Sequence, residues 1–190
     1  MDDSVRRALL RWPDVPACTG WLGLDARGDW WLRSAAARPW PRAADGRLLR
    51  DGASRLQHAG LIGFIARNYL ARDDGYWYFQ NGPQRVYVEL DAAPLVLRLQ
   101  PDGRWRTHTG VDCAPRAACL DAVGRLYLDT DAGPGIVHSQ DLAALGDWLS
   151  EDLSWLRQPG HVALALRALN GTAPAAHLRF RISPSADAAL

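Results

Sequence analysis

The chain has 190 residues, of which 48% are hydrophobic and 23% are charged, and its formal net charge is +1. This length allows one well-filled core or two small ones, and the balanced charge excludes the basic footprint of a nucleic-acid-binding domain. The start of the chain, Met1 to Ser4, is unlike a secretory signal, and no stretch approaches the roughly 18 apolar residues of a membrane span.

The first half of the chain reads as a hairpin, a helix and a second hairpin. Asp2, Asp3 and Ser4 predict the start of a short helix that Pro13 ends. The elements that follow are a hairpin over 20–33, a short strand over 47–50, a helix over 54–71, and strands over 76–80 and 85–90. The predicted helix rests on an apolar stripe with a spacing of 3.6 residues, and the last strand on strict alternation.

The second half repeats this order of elements. It predicts a hairpin over 118–130, a short strand over 135–139, a helix over 141–157, and strands over 162–168 and 177–182. We therefore expect an α+β protein of two similar antiparallel β-rich units, each with one covering helix. The predicted bounds are 1–91 for the first unit, 92–116 for a connecting hairpin, 117–183 for the second unit, and 184–190 for a frayed tail.

One hairpin turn recurs in the sequence. Leu24-Asp25-Ala26-Arg27-Gly28 and Leu120-Asp121-Ala122-Val123-Gly124 share four of five residues, and Gln100-Pro101-Asp102-Gly103 is a looser copy. Glycine at the end of such a turn adopts the left-handed conformation that bulged hairpins require. The recurrence favours an internal duplication, against the alternative that short strand–helix–strand runs repeat by chance.

Several longer segments resemble known protein families. Residues 60–69 (GLIGFIARNY), 79–90 (FQNGPQRVYVEL) and 126–131 (LYLDTD) are similar to a family of uncharacterised proteobacterial proteins, over about residues 1–150. The run Asp74-Gly75-Tyr76, together with residues 91–94, also resembles a second uncharacterised bacterial family. That second resemblance implies a fold of repeated β-rich subdomains and a role in signalling. Neither resemblance implies an activity or a catalytic residue.

The densest polar cluster lies between the two clearest strands. Asn81, Gln84 and Arg85 surround a Gly-Pro turn, and Tyr76 and Tyr78 precede it. Arg85 is a candidate fork for an anion, Asn81 and Gln84 are candidate orienting amides, and a tyrosine supplies a stacking wall. The alternative is a turn whose side chains satisfy only their own backbone.

A second candidate site follows the strand over 126–130. Asp129, Asp131 and His138 flank a glycine-rich loop, and two carboxylates with an imidazole suit acid–base catalysis or cation binding. The alternative is a solvated strand edge. The five histidines are never paired at i+2 or i+4, and phosphate-binding glycine loops and the His-Glu-x-x-His motif are absent, so we expect no metal and no cofactor.

These patterns favour a non-enzymatic module that binds a small ligand or a protein partner. The alternative is a small hydrolase that uses Asp129, Asp131 and His138, and a third interpretation is a homodimer that pairs through exposed strand edges. Three cysteines without a C-x-x-C spacing argue against disulfides and structural zinc, so we expect reduced thiols in a cytoplasmic protein.

Overall fold

The structure, a computed structural model, describes residues 1–34 and 40–184. The chain divides into two compact units. The first comprises Met1–Ala92 together with the returning segment Phe180–Leu190, and the second comprises Ala93–Arg179. Each unit has its own β-sheet, which agrees with the predicted α+β class of two β-rich units.

The first unit is a six-stranded sheet with two helices. Its helices are α1 (Asp3–Arg11) and α2 (Ala59–Arg67). Its strands are β1 (Cys18–Leu24), β2 (Trp30–Arg33), β3 (Ala53–Arg55), β4 (Tyr69–Ala71), β5 (Trp77–Asn81) and β6 (Gln84–Leu90). The strand order across the sheet is β3-β2-β1-β6-β5-β4.

The second unit is an eight-stranded sheet with only short helical segments. Its strands are β7 (Leu95–Leu99), β8 (Trp105–Thr107), β9 (Asp112–Cys113), β10 (Pro115–Leu120), β11 (Leu126–Thr130), β12 (Gly133–Val137), β13 (Trp155–Leu156) and β14 (Leu164–Ala168). Its α-helices are α3 (Leu142–Leu145) and α4 (Pro174–His177). The strand order is β13-β14-β10-β11-β12-β7-β8-β9.

The two sheets share a five-strand topology. The order β3-β2-β1-β6-β5 in the first sheet corresponds to β12-β11-β10-β14-β13 in the second. In both, the leading hairpin is antiparallel, and its first strand pairs on the other side with a parallel strand, β6 or β14. The duplication is therefore a shared topology. Both sheets are mixed, because in the part of the chain that the structure describes the first contains one parallel pair and the second contains two beside their antiparallel pairs.

The predicted recurrent turn is confirmed at all three positions. Gly28, Gly103 and Gly124 have φ angles of 87°, 82° and 79°. Each donates its main-chain N–H to the carbonyl three residues earlier, at 2.9 to 3.1 Å. The same bond is made by three further glycines of positive φ, namely Gly46, Gly75 and Gly110. The same type of turn, ending in a glycine of positive φ, thus closes hairpins in both units.

The helix predicted over 54–71 is shorter, spanning only Ala59–Arg67. Ser54 lies in β3, opposite Leu32, and the cap is instead the His58 ring, which accepts from the Leu61 N–H at 3.1 Å. Asn68 caps the end of the helix, and Tyr69 pairs with Phe79 in the sheet. The apolar stripe continues past the helix because Tyr69, although it lies in β4, is also buried.

The helix predicted over 141–157 is also wrong in extent. The leucine-rich stretch forms α3 flanked by two 3-10 turns, Ser139–Asp141 and Gly146–Trp148, and Trp155 already lies in β13. Ser150, Asp152 and Ser154 bond to one another and to their own backbone, which competes with helix formation. The second unit therefore lacks the long covering helix that we expected.

The predicted domain boundaries need two corrections. The hairpin over 92–116 is not a connector, because β7 pairs with β12 and brings β8 and β9 into the second sheet.

The strand predicted over 177–182 is absent. Pro174 starts α4 there, and Arg181 and Ile182 then return to the first unit, where their backbone bonds Gly75 and Leu90. Pro184 of the predicted tail is buried, and residues 185–190 lie outside the described residues.

Candidate functional site

A pocket of about 280 Å³ lies between α2 and one face of the first sheet. Leu61 and Ile65 stand one helical turn apart on α2 and point at the sheet. Beneath them, the sheet contributes Leu22, Phe79 and Val86 from its three central strands. The pocket is thus a gap in the packing of a helix on a sheet, bounded by aliphatic and aromatic side chains.

A bulge in β1 places a tryptophan at the mouth of this pocket. Neighbouring residues of a regular strand face opposite sides of the sheet, yet Trp21 and Leu22 both line the pocket. The register of β1 against β6 shifts between Cys18 and Leu22, and Gly20 within the bulge has φ of 77°. Bulges commonly redirect a side chain next to a binding site. Trp21 is 42% exposed, so its ring is accessible to a ligand.

Two amide side chains form the polar end of the pocket. Asn81 and Gln84 are paired residues on either side of the β5–β6 turn, and both line the pocket. Gln84 donates its Nε2 to the carbonyl of Pro16 at 3.1 Å, which fixes the orientation of that amide. The described residues around the pocket include no charged side chain.

Cys18 contributes a thiol to the pocket. Burial raises the pKa of its thiol above the ordinary value, because the charged thiolate is poorly solvated there. The thiol is therefore protonated near neutral pH, and a protonated thiol is a poor nucleophile. Asn81 and Gln84 do not titrate in water. The pocket can hold a ligand by contact and hydrogen bonding, but it contains no evident acid, base or nucleophile.

The structure divides the first predicted site between two faces of the sheet. Tyr78 is opposite Tyr87 and Gln80 is opposite Arg85, which sets them on the face away from Asn81 and Gln84. Arg85 stacks over Tyr78, with 5.5 Å from the guanidinium carbon to the ring centre. Tyr76 and Tyr78 pack with Tyr87 in a separate cluster. The amides thus serve the pocket, whereas Arg85 and the tyrosines do not.

The second predicted site is not assembled. Asp131 lies in the β11–β12 turn, and His138 lies just past the far end of β12, about 17 Å away at 3.3 Å per residue. The buried His138 ring accepts from the Gln140 N–H at 3.1 Å, and Asp131 accepts from the Ala114 N–H at 2.8 Å. Asp131 and His138 thus each have a local structural partner, and Asp129 lies in β11, opposite Pro134. Among residues 1–34 and 40–184, no three His, Cys, Asp or Glu side chains form a metal-binding group.

An open groove in the second unit contains Asp131 but is occupied by internal ion pairs. Arg104 and Arg106 both bind Asp112, at 2.9 and 2.6 Å. Burial raises the pKa of the neighbouring Cys113 to about 11, so this thiol is also protonated at neutral pH. Arg104 and Asp112 of this groove are thus bound to each other, and Asp131 and His161 also line it.

Three buried carboxylates were not singled out from the sequence. Glu89 pairs with Arg42 at 3.1 Å, and Asp25 pairs with Arg50 at 3.0 Å. Asp91 accepts from the Leu48 N–H at 2.7 Å. All three join the loop after β2 to the sheet, so their role is structural. The sequence does not reveal that these carboxylates are buried, because the partners named here lie up to 47 residues away in the chain.

These observations define a class: an α+β protein built on a repeated five-strand topology, with an apolar pocket in its first unit. A family model described as "Protein of unknown function (DUF2946)" matches residues 1–185. The chain belongs to this family, DUF2944. No curated protein matches the chain.

The chain matches two solved structures. A DUF1285 family protein from Silicibacter pomeroyi DSS-3 has a TM-score of 0.50 and 14% identity, over 76% of this chain and 78% of that one. A DUF1285 family protein from Shewanella baltica OS155 has a TM-score of 0.42 and 17% identity, over 66% of this chain and 90% of that one. The first similarity supports the fold alone. In the described parts of this chain, no helix has the length and apolar character to cross a bilayer.

Proposed function

We propose that this protein is a non-enzymatic binding module, and that its pocket under α2 takes a small, uncharged and mainly apolar ligand. The observation that supports this most directly is the composition of the pocket: an apolar enclosure with two amides at one end and no charged lining residue. Apolar pockets with a few convergent polar groups are the usual form of small-molecule sites.

The polarity of the pocket selects against charged ligands. A charged group that is buried without a partner loses its hydration, and the free-energy cost of this loss exceeds the stabilisation from apolar contacts. A neutral amide, carbonyl or hydroxyl group can instead replace its hydrogen bonds to water with hydrogen bonds to the side chains of Asn81 and Gln84. A volume of about 280 Å³ is at the small end of ligand sites, so the ligand is the size of a medium-chain acyl or aryl fragment.

The proposal includes a compartment and a role. The three cysteines Cys18, Cys113 and Cys119 are all free thiols, which supports a cytoplasmic protein. The resemblance to a family with repeated β-rich subdomains favours a sensing role, in which pocket occupancy is passed to a partner protein. Binding of this kind needs no catalytic group, and the pocket supplies none.

The test uses Cys18 as an internal reporter of occupancy. Iodoacetamide is allowed to react with the folded protein, and the alkylation rate at each cysteine is followed by peptide mass spectrometry. Octanamide, a neutral eight-carbon amide, is the probe, and octanoate and octylamine are charged analogues of equal length. Cys113 is the internal control, because it is half-buried but lies in the second unit.

We expect octanamide to slow alkylation of Cys18 and leave Cys113 unchanged, with weaker protection by octanoate and octylamine. The variant Leu61→Trp fills the pocket and should abolish protection. Leu10→Trp makes the same change at a side chain that is 84% exposed on α1 and should preserve it. Equal protection by all three probes, or protection that survives Leu61→Trp, would contradict the proposal.

A further inference from the structure

The face of the first sheet opposite the pocket carries a compact tyrosine cluster. Tyr76, Tyr78 and Tyr87 are all buried, with exposed fractions of 6%, 9% and 1%. The ring centres of Tyr76 and Tyr78 lie 6.0 and 5.9 Å from that of Tyr87. Leu70 packs against the cluster and closes one side. The three rings thus form a firm aromatic platform within the first unit.

Three arginines lie on this platform. Arg85 stacks over Tyr78 at 5.5 Å, and Arg181 lies 6.0 Å from the centre of Tyr76. Arg72 lies 5.7 Å from the centre of Tyr87 and also donates a hydrogen bond to its hydroxyl. A guanidinium held over an aromatic ring keeps its in-plane N–H groups available at the edge. The patch formed by these three arginines and the three tyrosines is called the arginine–tyrosine patch below.

The charge of this patch is only partly neutralised. Arg72 is bound by Asp74 at 2.7 Å. Of the carboxylates in the described residues, none lies within ion-pair distance of the exposed Arg85 or Arg181. Arg50, which stacks over Trp31 in the same unit, is by contrast also bound by Asp25. Within the described residues, the exposed Arg85 and Arg181 are therefore without an ion-pair partner on the tyrosine cluster.

We propose that the arginine–tyrosine patch binds the phosphate group of a small phosphomonoester, at a site separate from the apolar pocket. Guanidinium groups fit phosphate with paired N–H···O bonds, and a dianion matches the two uncompensated charges. The aromatic platform limits the motion of the arginines, so less side-chain entropy is lost on binding. Because the patch is at the surface, binding weakens as ionic strength rises.

The test is a calorimetric titration of the full chain with phenyl phosphate, at low and at physiological ionic strength. The double variant Arg85→Gln/Arg181→Gln removes the two uncompensated charges with little change in side-chain length. Arg27→Gln is the matched control, since Arg27 is an exposed arginine on a hairpin turn of the same unit. Benzyl alcohol serves as the uncharged analogue of the probe.

We expect the double variant to bind phenyl phosphate at least about tenfold more weakly, because two charge-assisted contacts are lost. Arg27→Gln should bind like the parent protein, and benzyl alcohol should not compete. Octanamide protection of Cys18 should persist in the double variant, which separates this site from the pocket. An equal loss in Arg27→Gln, an unchanged affinity in the double variant, or tighter binding of an aspartate-rich peptide than of phenyl phosphate would overturn the proposal.

Discussion

Asp25 and Asp121 make the same pair of hydrogen bonds in the two sheets. One carboxylate oxygen of Asp25 accepts from the N–H groups of Arg27 and Asp29, both at 2.9 Å. The corresponding oxygen of Asp121 accepts from Val123 and Arg125, at 3.1 and 2.8 Å. The two residues occupy the same place in the shared topology, at the end of the strand that pairs with both its hairpin partner and a parallel strand.

Replacement of these aspartates should have unequal costs. Asp25→Ala also removes the acceptor for Trp31 Nε1 and the partner of Arg50, and we expect a loss of about 3 kcal/mol. Asp121→Ala removes the turn bonds and a pairing with the partly exposed Arg125, and we expect about 1.5 kcal/mol. Urea unfolding of both variants measures the difference, and equal losses would show that the added partners of Asp25 contribute nothing.

Two glycines of the second unit should respond oppositely to alanine. Gly124 has φ of 79° and Gly146 has φ of −55°, and a Cβ on either would meet no atom within 4 Å. Alanine at 124 therefore introduces only backbone strain, about 1 kcal/mol, whereas alanine at 146 gains helical preference of about 0.5 kcal/mol. Thermal unfolding of the two variants should shift the midpoint in opposite directions. A shift of the same sign in both would contradict this account of the turn.

The Ser150–Ser154 turn should make stability depend on pH in the acid range. Bonds from the hydroxyls of Ser150 and Ser154 lower the pKa of Asp152 to about 2. Because the folded pKa lies below the ordinary value of 3.8, the turn contributes stability above about pH 4 and loses it as the pH falls through 2. Asp152→Asn should be less stable than the parent protein at pH 5, with a difference that narrows towards pH 2. Urea unfolding at each pH measures this, and Asp147→Asn controls for net charge.

The parts of the fold that were predictable are local. In its two closest copies, the recurrent turn is determined within five residues by an aspartate acceptor and a glycine, so its sequence pattern is sufficient. The pairing of β1 with β6 joins residues about 65 positions apart, and no local pattern indicates it. The return of Ile182 to Leu90 is longer still. The two helices were overextended because an apolar stripe does not distinguish a buried helix from a helix followed by a buried strand.

The candidate site was predictable in part. The sequence groups Asn81 with Gln84, and the two-residue turn places them opposite each other. The alternation of side chains along β6 places Arg85 and Tyr87 on one face of the sheet and Val86 on the other. The sequence therefore indicated that the predicted polar cluster is divided between the two faces. In the sequence, Gly20 is the one indication of the bulge that directs Trp21 towards the pocket. Arg181 could not be assigned to the tyrosine platform, because it lies about 100 residues away in the chain.

The most direct test of the pocket is a methyl NMR titration with octanamide. The protein is labelled at leucine, isoleucine and valine methyl groups, and the resonances are assigned by single substitutions. We expect octanamide to shift the methyl signals of Leu22, Leu61, Ile65 and Val86, which line the pocket, and to leave those of Leu95 and Leu97 in the second sheet unchanged. An unchanged spectrum, or shifts spread evenly over both sheets, would contradict the assignment of this pocket as a ligand site.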